Sequence, residues 1–137
     1  MLANLMFSGR LDELPDLKIV LAHGGGFIPY QIGRLVHGHS VRSEANAISK
    51  SSPKDLLKRI YFDSLVFEPQ ALRYLIDLVG ADHVCIGTDA PFDMADNDPT
   101  ATIDAVPRDY AAGASVCLLR HGTQVVARRL NKGRKRR

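Results

Sequence analysis

Hydrophobic residues along the chain fall into two kinds of run. Three are short, rich in β-branched residues and nearly continuous: KIVLA at 18–22, RIYFD at 59–63 and VCIG at 84–87. None alternates apolar with polar positions, so each predicts a strand buried on both faces, as in a parallel sheet. The other runs recur at helical spacing. Leu72, Leu75, Ile76 and Val79 share one face, with Pro69 near the start and Gly80 just past the end, which predicts a helix. Ile28, Ile32, Leu35 and Val36 form a similar stripe after the first strand, and 1–11 predicts a helix before it. Ser52 ahead of Pro53 predicts an N-cap followed by proline at the first helical position, opening a helix over 53–57. Asp98 ahead of Pro99 repeats that signal before 100–106.

Helices thus alternate with strands, and the fold class expected is α/β with a parallel sheet. Three strands are few. Helices on both faces of so small a sheet would leave two bare edges and an exposed floor, so the chain is expected to be part of something larger.

Composition narrows the class without naming a function. With 137 residues, 45% hydrophobic and 24% charged, the chain fits one globular domain rather than a disordered or disulfide-built one. No apolar run approaches the roughly 18 residues of a membrane span, and no stretch has a signal peptide's layout. No membrane partner is expected. Cys85 and Cys117 stand 32 positions apart, outside any CxxC or Cys/His grouping. Neither a zinc finger nor a redox pair is expected, and a reduced, cytoplasmic setting fits. The net charge of +3 is a property of the end of the chain. Residues 128–137 hold seven of the 18 Lys and Arg and none of the 15 Asp and Glu, leaving 11 basic against 15 acidic groups, a body at −4. Those seven cations could contact phosphates, but no aromatic residue interleaves them. The stretch is read as a disordered, solvated tail with no nucleic-acid partner.

The candidate chemistry lies just past the predicted strands, where parallel α/β folds carry their sites. His23 follows the first strand and precedes Gly24, Gly25 and Gly26; Asp63 and Ser64 close the second; Gly87, Thr88 and Asp89 close the third. One imidazole and two carboxylates therefore converge on one rim. His23 could be a metal ligand, a general acid–base or a structural histidine bonded to a carbonyl. The glycines beside it either turn N–H groups toward an anion or simply make a tight turn. Asp89 ends an apolar strand, where a carboxylate needs a cation or donors. A divalent metal and an Asx turn or N-cap are the alternatives. Asp63 reads as a strand-end cap ahead of an acceptor that orients a neighbour.

Taken together, the HGGG run at 23–26, Gly33-Arg34, the YFDS run at 61–64 and the GTDAPF run at 87–92 resemble one family. Over 1–106 the chain is similar to the carboxyl-terminal half of amidohydrolase-related proteins of the aminocarboxymuconate-semialdehyde decarboxylase type. The resemblance implies a partial (β/α)₈ TIM barrel containing strands six to eight. It also implies a divalent metal, zinc by preference, and hydrolysis or non-oxidative decarboxylation of a small carboxylate-bearing molecule. Asp89 would ligate the metal, His23 would act as acid–base, and Arg34 would bind the substrate carboxylate, in some members across a subunit interface. A solvated helix-face arginine is the plainer reading of Arg34.

The same resemblance places a His-x-His pair on the barrel's first strand and a histidine after its fifth, and this chain matches neither. His37 and His39, two apart on a predicted helix, do not share a face and are read as exposed polar residues. His83, ahead of the third strand, is read as a surface residue, and His121 receives no role. One carboxylate and one imidazole fall short of the three or more protein ligands a divalent site takes. The chain alone is therefore expected to bind metal weakly and to be catalytically silent. Past 106 the resemblance ends: 107–127 is expected to be partly helical, ahead of the basic tail at 128–137. The rival reading is a non-catalytic remnant or interaction protein. A half-barrel with bare edges is expected to form a homo-oligomer in either case.

Overall fold

The computed structural model describes residues 2–106 and, beyond them, the backbone of two strands at 115–119 and 125–129. The elements run α1 (Leu2–Phe7), α2 (Arg10–Glu13), β1 (Val20–Leu21), a 3₁₀ turn (His23–Gly25), α3 (Phe27–Val41), α4 (Ser43–Asn46), α5 (Pro53–Leu57) and β2 (Tyr61–Asp63). They continue with α6 (Pro69–Val79), a 3₁₀ turn (Ala81–His83), β3 (Val84–Ile86), α7 (Ala101–Asp104), β4 (Ser115–Leu119) and β5 (Val125–Arg129).

The expected parallel sheet is present. β1 pairs with β2 and β2 with β3, all parallel, with Leu21 opposite Phe62 and Asp63 opposite Cys85. Parallel neighbours joined by helices bring the three strand ends to the same side of the sheet. The centre of the sheet is buried as its apolar runs imply. Phe62 and Cys85 are fully enclosed, whereas Val20 and Leu21 on the outer strand are half-buried. Met6, Ile32, Leu56, Leu57, Phe62, Leu72 and Leu75 belong to one core, so α1, α3, α5 and α6 pack with the sheet in a single cluster. Enclosing a side chain the size of Phe62 contributes about 2–3 kcal/mol.

Several expectations are corrected in detail. The single helix over 1–11 is two helices, broken where Gly9 takes a left-handed φ of 74° and an added Cβ would fall 2.9 Å from Ile48 Cγ2. The helix over 53–57 forms as read, with the Ser52 hydroxyl accepting from the Lys54 N–H at 3.3 Å. The last helix starts at Ala101 instead of 100. Asp98 does not cap it by side chain but accepts from the Thr100 hydroxyl at 3.0 Å. One of the two bare edges is also occupied. β4 lies parallel on β3, β5 pairs antiparallel with β4, and the sheet order is β1-β2-β3-β4-β5. Apolar, β-rich SVCLL and VVARR thus form strands where a partly helical stretch and the start of a disordered tail were expected. The register sets Cys117 beside Cys85, closing on adjacent strands a gap that is long in sequence. The rest of 107–137, including His121 and most of the basic tail, lies outside the described residues.

Candidate active site

At the end of β1 the backbone turns through His23 (φ 55°) and Gly24 (φ 58°) before α3 begins. A left-handed φ is rare for a residue with a side chain and is usually held by its surroundings. Here the support is the core itself. A Cβ on Gly24 would fall 2.4 Å from Val66 Cγ1, and one on Gly25 2.6 Å from the Phe62 ring. The glycines therefore let the turn press onto the sheet. Their N–H groups are spoken for: Gly24 donates to Asp63 Oδ1 at 2.8 Å, Gly25 to the Ala22 carbonyl at 3.0 Å and Gly26 to the His23 carbonyl at 2.9 Å. Of the two readings of this run, the tight turn holds and the anion cradle does not.

The turn delivers the imidazole outward. His23 Nε2 lies 3.5 Å from Asp89 Oδ1, with the histidine side chain 61% exposed and the aspartate side chain 26%. The two groups sequence reasoning set on a common rim do face one another there. Asp89 also has a left-handed φ of 55°. Its loop is held by backbone bonds from Phe92 N to the Asp89 carbonyl at 3.0 Å and from Asp96 N to the Thr88 carbonyl at 2.8 Å.

Asp63 sits between them, 8% exposed, and its Oδ1 accepts from the Gly24 and Leu65 N–H groups, the latter at 3.2 Å. It caps its strand end and also grips the turn that carries His23, so both readings of this residue hold together. Its other flank abuts Gly87, where an added Cβ would fall 2.7 Å from Asp63 Cβ. Ser64, buried beside it, donates its N–H to the Cys85 carbonyl at 2.8 Å.

The remaining candidates lie apart from this pair. Arg34 is on the exposed side of α3, with no hydrogen bond or ion pair among the described residues. His39 is not simply exposed: its ring stacks on Phe7 at 6.3 Å and its Nε2 lies 3.0 Å from the Ser49 carbonyl. His83 is half-buried rather than a surface residue. It stacks on Tyr61 at 4.9 Å, and its buried Nδ1 lies 3.3 Å from Asp82 Oδ1 without forming a hydrogen bond. Three exposed rings also lie beyond the strand ends: Phe27 and Phe92 six residues past β1 and β3, and Phe67 four past β2. Of these, sequence reasoning noted only Phe92, in the GTDAPF run, and passed over Phe27 and Phe67. Among the described residues no group of three or more His, Cys, Asp or Glu converges on a point that could hold a metal ion. His23 and Asp89 supply two donors, and two do not close a divalent site.

The sequence model of the amidohydrolase family matches residues 2–117, past the 106 where the resemblance was expected to end and into β4. The chain belongs to the amidohydrolase family. Among its relatives, 2-amino-3-carboxymuconate-6-semialdehyde decarboxylase of Dictyostelium discoideum is 35% identical over 106 residues, which is 77% of this chain and 30% of that protein. The chain thus spans about a third of the length of such relatives. The 5-carboxyvanillate decarboxylase of Sphingomonas paucimobilis superimposes with a TM-score of 0.69 at 28% identity, covering 82% of this chain and 35% of that one. A dihydroxybenzoic acid decarboxylase of a Polaromonas species, solved with manganese and 2-nitroresorcinol, gives 0.62 at 28% identity, covering 83% and 32%. Manganese, not zinc, is the metal named there. The family assignment makes the chain part of an enzyme family by resemblance.

Proposed function

We propose that this chain carries the acid–base and one metal ligand of a decarboxylase acting on small carboxylated aromatic or unsaturated acids. The observation that carries the reading is the 3.5 Å approach of His23 Nε2 to Asp89 Oδ1, past the ends of β1 and β3 on either side of β2. In this reading β1, β2 and β3 are the last three strands of a (β/α)₈ barrel. Asp89 gives a divalent metal one hard oxygen donor, and the further ligands come from outside the described residues.

Non-oxidative decarboxylation breaks the bond between a carbon and its carboxyl group, and that carbon takes a proton in place of the CO₂ released. His23, with Nε2 turned to the open rim, is the residue to hold and hand over that proton. Arg34, exposed and without a partner among the described residues, offers a guanidinium fork to the substrate carboxylate. Decarboxylation is favoured over hydrolysis because most of the similar proteins are named as decarboxylases. The open edge of β1 favours association with further strands, from a second copy or from the rest of the barrel.

The test joins the chain to a segment supplying the other barrel strands of a relative and measures CO₂ release from dihydroxybenzoates and 5-carboxyvanillate with manganese or zinc. Activity falling about 10²–10⁴-fold in His23→Gln is expected, with loss of bound metal in Asp89→Asn. A reconstituted barrel indifferent to both substitutions would overturn the reading. Metal titration of the chain alone should give only weak binding; one stoichiometric submicromolar site would remove the need for outside ligands.

A further inference from the structure

The two site residues stand on different strands, and nothing in either loop alone fixes the distance between them. The buried carboxylate of Asp63 touches both loops. On one flank Oδ1 takes the Gly24 N–H at 2.8 Å, the peptide directly after His23. On the other flank its Cβ and Oδ2 press on Gly87, where an added Cβ would meet them at 2.7 and 2.9 Å. Gly87 is two residues before Asp89. The same oxygen also takes the Leu65 N–H at 3.2 Å, which ties the carboxylate to its own strand end.

We infer that Asp63 is the positioning residue that sets the approach of His23 to Asp89, a role that deepens the functional reading above and rests on it for the identity of the pair. A charge-assisted bond to a backbone N–H is stronger than a neutral one, and in a buried place it is not shared with water. It holds the left-handed turn at His23 against the tendency of a side-chain-bearing residue to leave that conformation. Gly87 supplies the second constraint by letting the third strand's loop close directly against the carboxylate. Loss of either constraint leaves the core intact and frees the two loops to part.

The chain itself serves for the test, with histidine labelled by ¹⁵N and His23 assigned through His23→Gln. At about pH 8, where a neutral imidazole carries one proton, long-range ¹H–¹⁵N spectra read which ring nitrogen bears it. Native protein should place that proton on Nε2, facing Asp89, and Asp89→Asn should alter the pattern. Asp63→Ala should give the altered pattern as well, with Gly24 amide protection reduced about tenfold or more while Leu72 and Leu75 keep theirs. Asp63→Asn, which retains an oxygen acceptor, should restore both readouts. Unchanged His23 signals in Asp63→Ala would overturn the inference, as would an Asp63→Asn protein no better than Asp63→Ala.

Should Asp63→Ala fail to fold, Gly87→Ala decides. It displaces the carboxylate with Asp63 present, so His23 signals that move support the role and signals that stay put overturn it. Added Mn²⁺ separates this inference from the functional reading. Broadening of His23 that is the same in native and Asp63→Ala protein would remove the positioning role and leave the site. A reconstituted barrel that ignores His23→Gln and Asp89→Asn, while the tautomer pattern still follows Asp63, would leave the positioning role and remove the catalytic one.

Discussion

The two ends of the parallel strands are both polar, and they use that polarity in opposite ways. Ahead of the strands, Asp12 accepts from the hydroxyls of Ser49 and Ser51 and from the Lys50 N–H, and Arg59 Nη2 donates to the carbonyls of Leu11, Leu14 and Pro15 at 2.7, 3.2 and 3.1 Å. Every one of these groups is satisfied by the chain itself, on relaxed backbone. Beyond the strands, His23 and Asp89 stand on left-handed backbone, facing one another at 3.5 Å, the imidazole open to solvent and the carboxylate half-buried. Polar groups used up internally lend stability; groups left over, and held in strained positions, are available for chemistry. Substitutions at the two ends should therefore fail differently.

The largest effect on stability is expected where the open end is fastened to the core. Gly24→Ala adds a Cβ 2.4 Å from Val66 Cγ1 at a φ of 58°. Overpacking and backbone strain together should cost about 2–4 kcal/mol, read as a lower midpoint in urea. Gly33→Ala is the control, since Gly33 lies inside α3 without a positive φ and no atom lies within 4 Å of its added Cβ. It should leave stability unchanged or raise it by up to about 1 kcal/mol. Equal effects at the two positions would mean that the turn is neither strained nor seated on the core as described.

At the closed end Arg59→Ala should cost about 1–3 kcal/mol, because three carbonyls lose a charged donor, and metal binding or activity of a reconstituted barrel should not change. A change in function without a change in stability would break the contrast between the ends.

Much of this was legible in the sequence. Continuous apolar runs gave the three parallel strands, and the rim residues followed because a parallel sheet has only one end at which its carboxyl termini meet. The glycines beside His23 were ambiguous. Nothing in the HGGG run distinguishes N–H groups aimed at an anion from N–H groups turned inward to Asp63, which lies 39 residues away. Asp12 left no trace either, since its partners Ser49 and Ser51 are common loop residues some 40 positions downstream. His39 and His83 look exposed by helical spacing and by position before a strand. Their partners Phe7 and Tyr61 come from other elements, and tertiary packing overrides the local pattern. The strands at 115–119 and 125–129 were missed because a short apolar run does not by itself separate strand from helix.

Acid should loosen the closed end by a smaller, graded amount. The Ser51 hydroxyl beside Asp12 holds its carboxyl below the ordinary aspartate range; partial burial works against this, and Ser49 and the Lys50 N–H add to the lowering. A carboxyl depressed in the folded state contributes stability that is complete above its unfolded value, near about 4, and is lost as pH falls through its lower folded value. Thermal midpoints of native protein should therefore drop more steeply below pH 4 than those of Asp12→Asn. Parallel profiles would place the acid-sensitive contact elsewhere.

The smallest effect is expected at the open end, and its sign is the sharpest test of the contrast. The His23 side chain is mostly exposed, yet the residue occupies a φ of 55° that asparagine or glycine adopts more readily. His23→Asn should leave stability unchanged or raise it by up to about 1 kcal/mol, while abolishing proton transfer in a reconstituted barrel. A residue retained for packing would show the reverse: lower stability with function intact. A gain in stability on removing His23 would mark the strain at this position as a cost carried for chemistry, which Arg59 and Asp12, both on relaxed backbone, do not bear.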